Sequence, residues 1–191
     1  MDLYDRNGDR KYLIPGEREK FWKAAEASPR EVRTFCGTLL YTGCRITEAS
    51  ELTAARIDLA DRRIVFESLK ERRKGVYRAV PVPPAFLDTL DLVHNIREAQ
   101  KHPDKGRKVM LWDWCRTTAY TRVLEVMKAA GITGPHATPK GLRQGFGVNA
   151  TVKAVPLNKL QKWLGHANLK NTAIYADTGG AEEDRIAERM W

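Results

Sequence analysis

The sequence predicts a mainly α-helical domain with one small antiparallel β hairpin inserted early in the chain, an α+β fold. Most segments repeat apolar residues at spacings of three and four, which is the period of an amphipathic helix. Residues 63–80 instead contain two short β-branched and aromatic runs on either side of a glycine. With 191 residues, the chain is long enough for a single domain with one apolar core.

The helices follow one another along most of the chain. Residues 1–14 are mostly polar and are expected to form a loose arm. A helix is expected over 16–27, and a second helix is expected with Ser28 as its N-cap and Pro29 as its first helical position. Thr42 and Gly43 end this helix, because glycine favours the residue after a helix. Further helices are predicted over 46–54, from 84 onward, and over 117–130, 139–152, 156–164, 169–176 and 181–190.

The predicted hairpin joins strands over 63–66 and 76–80, with Gly75 near its turn. Pro81 and the two prolines after it end the second strand, because proline has no N–H for a sheet ladder. Residues 101–108 are expected to form an exposed loop. The apolar run 109–112 is too short for its periodicity to decide its state.

The charge of the chain predicts an anionic partner. Lysine and arginine number 33 against 24 aspartates and glutamates, which gives a formal net charge of +9. A balance this basic is typical of proteins that bind nucleic acid. The chain contains no apolar run of about 18 residues, so no membrane span is predicted. Its polar start does not resemble a secretory signal. The three cysteines form no CxxC pair, which favours a reducing cytoplasm.

Two segments place basic residues where a phosphate could bind. In TGCRITEASEL, residues 42–52, Arg45 lies between a helix end and a helix start, which suits a phosphate. A surface ion pair between Arg45 and Glu48 is the commoner explanation for such an arginine. The segment 69–78 carries five basic residues on the predicted hairpin, where they either contact DNA or form a solvated turn: Lys70, Arg72, Arg73, Lys74 and Arg78.

Two later segments hold further candidates. In TPKGLRQGFG, residues 138–147, Lys140 and Arg143 share a helix face, where an anion between them would relieve their repulsion. In KWLGHANLKNTAIYAD, residues 162–177, His166 separates two short helices and Tyr175 follows nine residues later. Either side chain alone most often serves packing. The chain lacks HExxH, GxSxG, a glycine-rich phosphate loop and an acidic metal cluster, which disfavours hydrolases, NTPases and metal-dependent nucleases. No metal or cofactor is expected.

The order and spacing of these motifs resemble the catalytic domain of the tyrosine recombinases, the phage integrase family. The resemblance covers residues 28–177 and is most specific in TGCRITEASEL and LGHANLKNTAIYAD. It implies the recombinase fold and a shared catalytic set in which Tyr175 is the nucleophile and Glu48 a supporting acid: Arg45, Lys70, Lys140, Arg143, His166 and Tyr175.

Two positions of this set stay open. The family usually has His-x-x-Arg where this chain has Lys140-Gly-Leu-Arg143. Lysine has a reference pKa of about 10.4 against about 6.5 for histidine, so Lys140 is expected to donate to a phosphate rather than accept a proton. The general base is therefore undecided, and His136 is a possible substitute outside the motif. Lys74 is the alternative to Lys70 as the hairpin lysine, because hairpin lengths vary.

The resemblance implies metal-free cleavage and rejoining of double-stranded DNA through a 3′-phosphotyrosine bond, in the cytoplasm with the nucleoid. Two alternatives remain: a non-catalytic DNA-binding regulator of the same fold, and a nicking-closing enzyme of the type IB topoisomerase kind. The tail over 179–191 is expected to be a helix that docks on a neighbouring protomer in a homo-oligomer or folds back in cis. Residues 1–27 are too few for the helical DNA-binding domain that usually precedes this one.

Overall fold

The computed structural model describes residues 2–67, 75–177 and 181–190. These residues are mostly helical, which confirms the predicted fold class. None of the helices in this part of the chain has the length and apolar character needed to span a membrane. The described α-helices are, in chain order, α1 (Pro15–Glu26), α2 (Arg30–Thr42), α3 (Ile46–Ser50), α4 (Pro84–His94), α5 (Ile96–Gln100), α6 (Pro103–Lys108), α7 (Arg116–Ala129), α8 (Pro139–Val152), α9 (Leu157–Leu164), α10 (Lys170–Ala173) and α11 (Ala181–Ala187).

Helix α2 lies at the centre of the larger apolar core and packs against α1, α4 and α8. Phe35, Cys36 and Leu39 are buried in this core, as expected for an apolar stripe at helical spacing. Gly43 follows the helix with a φ of 61°, a left-handed conformation that glycine adopts without strain. The helix therefore ends where the sequence predicts, and Gly43 lies two residues before Arg45.

A small antiparallel sheet packs on the same core. Ile64, Phe66 and Val80 alternate along two of its strands and are buried, and Ile64 pairs with Val80 in the register. The first strand has two residues, too few for an alternating pattern, and the sequence analysis missed it. The turn of the predicted hairpin falls in 68–74, outside the described residues. The strand order is β1 (Ile57–Asp58), β2 (Arg63–Glu67) and β3 (Tyr77–Pro81).

The helix predicted over 46–54 ends at Ser50 because tertiary pairing takes over the main chain. The carbonyl of Leu52 accepts a hydrogen bond from the N–H of Leu111 at 2.8 Å. Thr53 forms an antiparallel bridge with Met110. The same contacts make the run 109–112 extended at this point, so one long-range pairing determines both segments.

Residues 2–14 pack against α8 instead of forming the expected loose arm. Leu3, Tyr12 and Leu13 are buried. A Cβ atom on Gly145 of α8 would lie 2.5 Å from the carbonyl oxygen of Leu13. The prediction of a loose arm depended on the many polar residues of this segment. Its few apolar side chains are the ones that pack in the protein.

A second apolar cluster lies where α8 and α9 meet segments from both ends of the chain. Its side chains come from the first residues of the sequence, from both helices and from the turn after α10. Its location is important because it encloses one of the candidate catalytic residues. Its buried members are Leu3, Tyr12, Val148, Ala150, Leu160, Leu164 and Tyr175.

The exposed loop expected over 101–108 is wrong, because Pro103–Lys108 forms helix α6. Proline is accepted in the first turn of a helix, where its missing N–H would have no partner. Gly106 allows close packing, since a Cβ there would lie 2.8 Å from the carbonyl oxygen of Ala99. The polar sequence therefore reflects the exposure of this segment rather than an irregular backbone.

The C-terminal helix α11 folds back on its own chain. It packs against α8, and Nη1 of Arg189 donates to the carbonyl oxygen of Thr151 at 3.4 Å. This is the cis arrangement, one of the two expected for the tail. The helix ends at Ala187, before the predicted end at residue 190.

We expect Gly145→Ala to destabilise the protein by about 1–3 kcal/mol, the usual range for overpacking a tight contact. The added methyl group would displace the main chain of Leu13 from α8. Thermal denaturation followed by circular dichroism measures the change. Gly16→Ala is the matched control, because no atom lies within 4 Å of a Cβ at that position. Equal melting temperatures for the two variants would show that residues 2–14 do not contribute to stability.

Candidate active site

Arg45 and Glu48 form a compact unit at the start of α3. Arg45 is the residue before the helix, and Glu48 lies in its first turn. The Glu48 carboxylate accepts hydrogen bonds from the Arg45 main-chain N–H at 2.7 Å and from its Nη1 at 2.9 Å. The Arg45 side chain is 25% exposed and that of Glu48 only 1%. The carboxylate therefore anchors a guanidinium that still reaches solvent.

Arg143 lies on α8 and connects two helix ends. Its Nη1 donates to the carbonyl oxygen of Gly43 at 2.6 Å, and its Nη2 donates to that of Leu164 at 2.7 Å. Burial lowers the pKa of Arg143 to about 10, and the charge of Arg45 acts in the same direction. Arg143 is therefore cationic at neutral pH. Its two bonds hold the end of α2 and the end of α9 beside each other.

His166 and Tyr175 meet at the end of α9. Gly165 ends that helix with a φ of 63°, which turns His166 back toward the second apolar cluster. Nδ1 of His166 lies 3.0 Å from the hydroxyl oxygen of Thr172. The imidazole stacks on the Tyr175 ring, with centroids 6.3 Å apart and planes inclined by 15°. Thr172 thus fixes the orientation of a ring that covers one face of Tyr175.

Tyr175 is fully buried. Within the described part of the chain, its hydroxyl oxygen has no hydrogen-bond partner. Burial raises the pKa of the phenol, while the charges of Arg143 and Arg45 act to lower it. The ring lies against Gly147 of α8, where a Cβ would come within 2.6 Å of it. A phenol oxygen without a partner, in the field of two arginines, is available for chemistry once it is uncovered.

The structure thus brings five of the predicted site residues into one region: Arg45, Glu48, Arg143, His166 and Tyr175. Lys140 is exposed in the first turn of α8, three residues before Arg143. Four of the five basic residues predicted on the hairpin lie outside the described residues: Lys70, Arg72, Arg73 and Lys74. Among the residues described, no group of three or more histidine, cysteine or acidic side chains could hold a metal ion.

The buried position of Arg78 contradicts its predicted role as a DNA contact. Arg78 lies on β3 with 4% of its side chain exposed. Nη1 and Nη2 donate to the two carboxylate oxygens of Glu48, at 3.1 and 2.6 Å, and Nε donates to the carbonyl oxygen of Trp163 at 2.8 Å. A buried guanidinium with these partners has no face for a DNA phosphate. Arg78 was predicted to contact DNA together with the other basic residues of the hairpin. The alternation of side chains along β3 instead places it on the inner face of the sheet.

His136, the possible substitute for the general base, is held against the first helix of the chain. It is 8% exposed, and its Nε2 lies 3.1 Å from a carboxylate oxygen of Glu17. Glu17 also pairs with Arg10. The imidazole therefore belongs to an ion-pair cluster that ties α1 to the turn before α8.

The sequence profile of the phage integrase family matches residues 11–181. The chain belongs to this family. The resolvase of Escherichia coli K12 is 26% identical to this phage integrase family protein in an alignment of 163 positions that covers 72% of this chain and 61% of the resolvase. Tyrosine recombinase XerC of Rhizobium meliloti is 28% identical over 80% of this chain and 47% of XerC. The chain thus spans less than two thirds of either relative.

Solved structures place this family member among the tyrosine recombinase catalytic domains by fold. XerA recombinase superposes with a TM-score of 0.77 at 22% identity, over 94% of this chain and 64% of XerA. XerH bound to its difH substrate gives 0.74 at 21% identity, over 98% and 59%. The catalytic domain of bacteriophage HP1 integrase gives 0.63 at 19% identity, over 93% of each chain. The predicted recombinase fold is confirmed.

Two residues that shape the site, Gly147 and Thr172, were not predicted from the sequence. Gly147 accommodates the Tyr175 ring, and Thr172 contacts the His166 ring. A glycine inside a helix costs stability relative to alanine, so its presence in α8 was a clue to close packing. Thr172 carried no comparable clue, because a threonine on a short helix is common on any surface.

Gly147→Ala is expected to push the Tyr175 ring out of its slot, because the ring can rotate whereas the helix backbone is held at both ends. Nitration by tetranitromethane, read by mass spectrometry, should then modify Tyr175 in the variant and spare it in the wild type. Gly16→Ala provides the control. Unchanged protection of Tyr175 in a folded Gly147→Ala protein would mean that α8 moves and the ring stays covered.

Proposed function

We propose that this chain is the catalytic part of a site-specific tyrosine recombinase that cuts and rejoins double-stranded DNA through Tyr175. One observation carries the proposal. The Tyr175 hydroxyl is buried without a hydrogen-bond partner among the described residues, stacked beside His166 and within the electrostatic reach of Arg45 and Arg143. Packing alone would favour phenylalanine here, because a buried hydroxyl without a partner costs free energy.

In the proposed cleavage step the Tyr175 oxygen attacks the phosphorus of a DNA phosphodiester. A phosphotyrosine bond forms on the 3′ side, and the bond from phosphorus to the 5′ oxygen breaks. The phenol proton passes to solvent, and Lys70 protonates the leaving 5′ oxygen as general acid. In rejoining, a 5′ hydroxyl attacks the same phosphorus and releases Tyr175. Rejoining to a different strand is recombination.

The cations of the site would stabilise the negative charge that gathers on the non-bridging oxygens of the attacked phosphate. Preorganised donors in a partly dry site are an effective source of such stabilisation. Arg45 and Lys140 reach solvent and would receive the phosphate, while Arg143 and His166 border the buried phenol. We assign Lys140 to the phosphate, since a charged ammonium is a donor.

The proposal requires an opening step before chemistry. A fully buried phenol cannot align with a DNA phosphate, so the Tyr175 ring has to leave its slot against Gly147. The segment that carries it is short, and α10 has four residues. Short helices depend on tertiary packing for their stability. The free energy needed for opening is therefore that of the packing around Tyr175. The free energy of DNA binding would supply part of it.

We further propose that the partner is double-stranded DNA, contacted by the hairpin residues Arg72, Arg73 and Lys74. The net charge of +9 and the fold shared with XerH, whose structure contains its difH substrate, support this. A homo-oligomer on DNA would use the tail in trans, which requires α11 to leave α8. The cytoplasm with its nucleoid is the location that such an activity needs.

The wild type should form a covalent adduct with nicked duplex DNA in EDTA, and Tyr175→Phe should form none. The probes are nicked duplexes tiled across the DNA that flanks the coding sequence. A denaturing protein gel detects the adduct as a nuclease-sensitive band. Tyr120→Phe is the matched control, because Tyr120 is an exposed tyrosine on α7 and its variant should behave like the wild type.

Each result of this assay selects one of the alternatives. DNA binding without any adduct would replace the enzyme by the non-catalytic regulator. An adduct together with relaxation of supercoiled plasmid, and no exchange between two duplexes, would indicate the nicking-closing enzyme. An adduct that survives in Tyr175→Phe would assign the nucleophile elsewhere.

Lys70→Ala is expected to slow adduct formation by about 100-fold or more, the usual contribution of a general acid. A substrate with sulfur in place of the bridging 5′ oxygen should restore the rate, because a thiolate leaves without a proton. Lys74→Ala is the control and should retain most of its rate on both substrates. Rescue of Lys74→Ala instead would exchange the roles of the two lysines.

A further inference from the structure

Arg78 connects three separate parts of the molecule through one guanidinium. Its two terminal nitrogens donate to both carboxylate oxygens of Glu48, at 3.1 and 2.6 Å. Its Nε donates to the carbonyl oxygen of Trp163, at 2.8 Å, near the end of α9. The guanidinium lies over the ring of Phe66, 4.9 Å from the centroid. The planar fork of arginine suits such an arrangement of acceptors, and lysine cannot reproduce it.

The first branch of this connection leads to Arg45. The two Glu48 oxygens that Arg78 contacts are the ones that accept from the Arg45 main-chain N–H and from its side chain. Glu48 is buried, and its position is therefore determined by its two arginine partners. A shift of Arg78 would move the carboxylate and with it the exposed guanidinium of Arg45.

The second branch leads to His166. Arg78 holds the carbonyl of Trp163, and Arg143 holds that of the next residue, Leu164. The next residue, Gly165, packs on the Arg78 side chain, and a Cβ on this glycine would lie 3.1 Å from Cδ of Arg78. The Arg78 side chain thus packs against the turn that places His166 beside Tyr175.

A purely stabilising role explains this arrangement poorly. Replacing a buried ion pair by well-packed apolar residues is often neutral or favourable for stability. What the charged arrangement adds is a defined direction for each hydrogen bond, and here each bond ends on an element that carries a candidate catalytic group.

We propose that Arg78 is a positioning residue, which sets the geometry of Arg45 through Glu48 and that of His166 through the end of α9. The proposal rests on the proposed function, in which Arg45 and His166 act on the phosphate. Arg78 itself touches no substrate.

The test compares adduct formation by Arg78→Met with that by the wild type, on the nicked duplex that reacts with the wild type. A displacement of catalytic groups by about 1 Å costs roughly 100-fold in rate, and we expect a loss of that size at saturating DNA. The dissociation constant for DNA, measured in the Tyr175→Phe background, should stay unchanged. Arg78→Lys should react at an intermediate rate.

The pH profile separates positioning from a general loss of structure. Burial acts to raise the pKa of the Glu48 carboxyl, but hydrogen bonds and charge from Arg78, together with Arg45, hold it below its usual value. Among the described residues, Arg45, Arg78, Arg143 and the Cys44 thiol interact electrostatically with this carboxyl. Without Arg78 the carboxyl should protonate at higher pH and release Arg45. The acid limb of the rate profile should therefore move to higher pH in Arg78→Met.

Arg10→Met is the matched control. Arg10 also pairs with a glutamate, Glu17, and donates to a main-chain carbonyl, that of Tyr12. Its loss should lower the melting temperature and leave the pH profile in place. Glu48→Gln keeps the side-chain volume and carries the test if Arg78→Met does not fold. The double variant Arg78→Met/Glu48→Gln should lose less rate than the product of the two single losses, because both changes act on Arg45 through the Glu48 carboxylate.

The outcomes are distinguishable. A slower Arg78→Met with unchanged DNA affinity and a shifted acid limb supports the positioning role. An Arg78→Met or Glu48→Gln protein with the rate and pH profile of Arg10→Met overturns it and leaves the proposed function intact. A wild type that forms no adduct with any duplex overturns the proposed function and the positioning role together.

Discussion

The buried carboxylate of Glu48 is the interaction on which the site depends. Arg45 and Arg78 both bond to it directly, and Arg143 lies within its electrostatic reach. Cations gathered in this way repel one another unless an anion lies among them. Glu48 provides that anion inside the protein, so the protein itself holds the arginines together. Because the carboxylate is buried and fully engaged, it orients the arginines without neutralising the exposed end of Arg45.

The second constraint is the close packing of α8. Its glycines allow the main chain of other segments, and the Tyr175 ring, to approach nearer than any side chain would permit. One helix therefore carries Arg143, supports residues 2–14 and holds the nucleophile candidate covered. Burial raises the pKa of the phenol, and the charges of the nearby arginines oppose that effect. The phenol is thus covered in this arrangement, with the charges of Arg45 and Arg143 close enough to act on it.

The sequence predicted the helices well wherever an apolar stripe and a glycine or proline boundary coincided. Helix α8 was predicted over the same residues that it occupies, and the β2–β3 pair was predicted within a residue at each end. The two-residue strand β1 escaped because it is too short for an alternating pattern, and the helix α6 escaped because its sequence is polar. The packed residues 2–14 escaped because their partner α8 lies far away in the chain. Of the predicted site, Arg45, Arg143, His166 and Tyr175 lie in one region, whereas Arg78 was grouped with the exposed basic residues by its neighbours alone.

The sequence by itself determined the identity and order of the chemical groups, because motif spacing along the chain records which residue types a shared mechanism requires. It also determined the helical character, since periodicity is a local property. Only the tertiary structure decided which charges face solvent and which are buried, because burial depends on what packs from elsewhere. Arg45 and Arg78 look alike in the sequence. In the folded protein, Arg45 reaches solvent, whereas Arg78 is enclosed because Glu48, Phe66 and the end of α9 pack against its side chain.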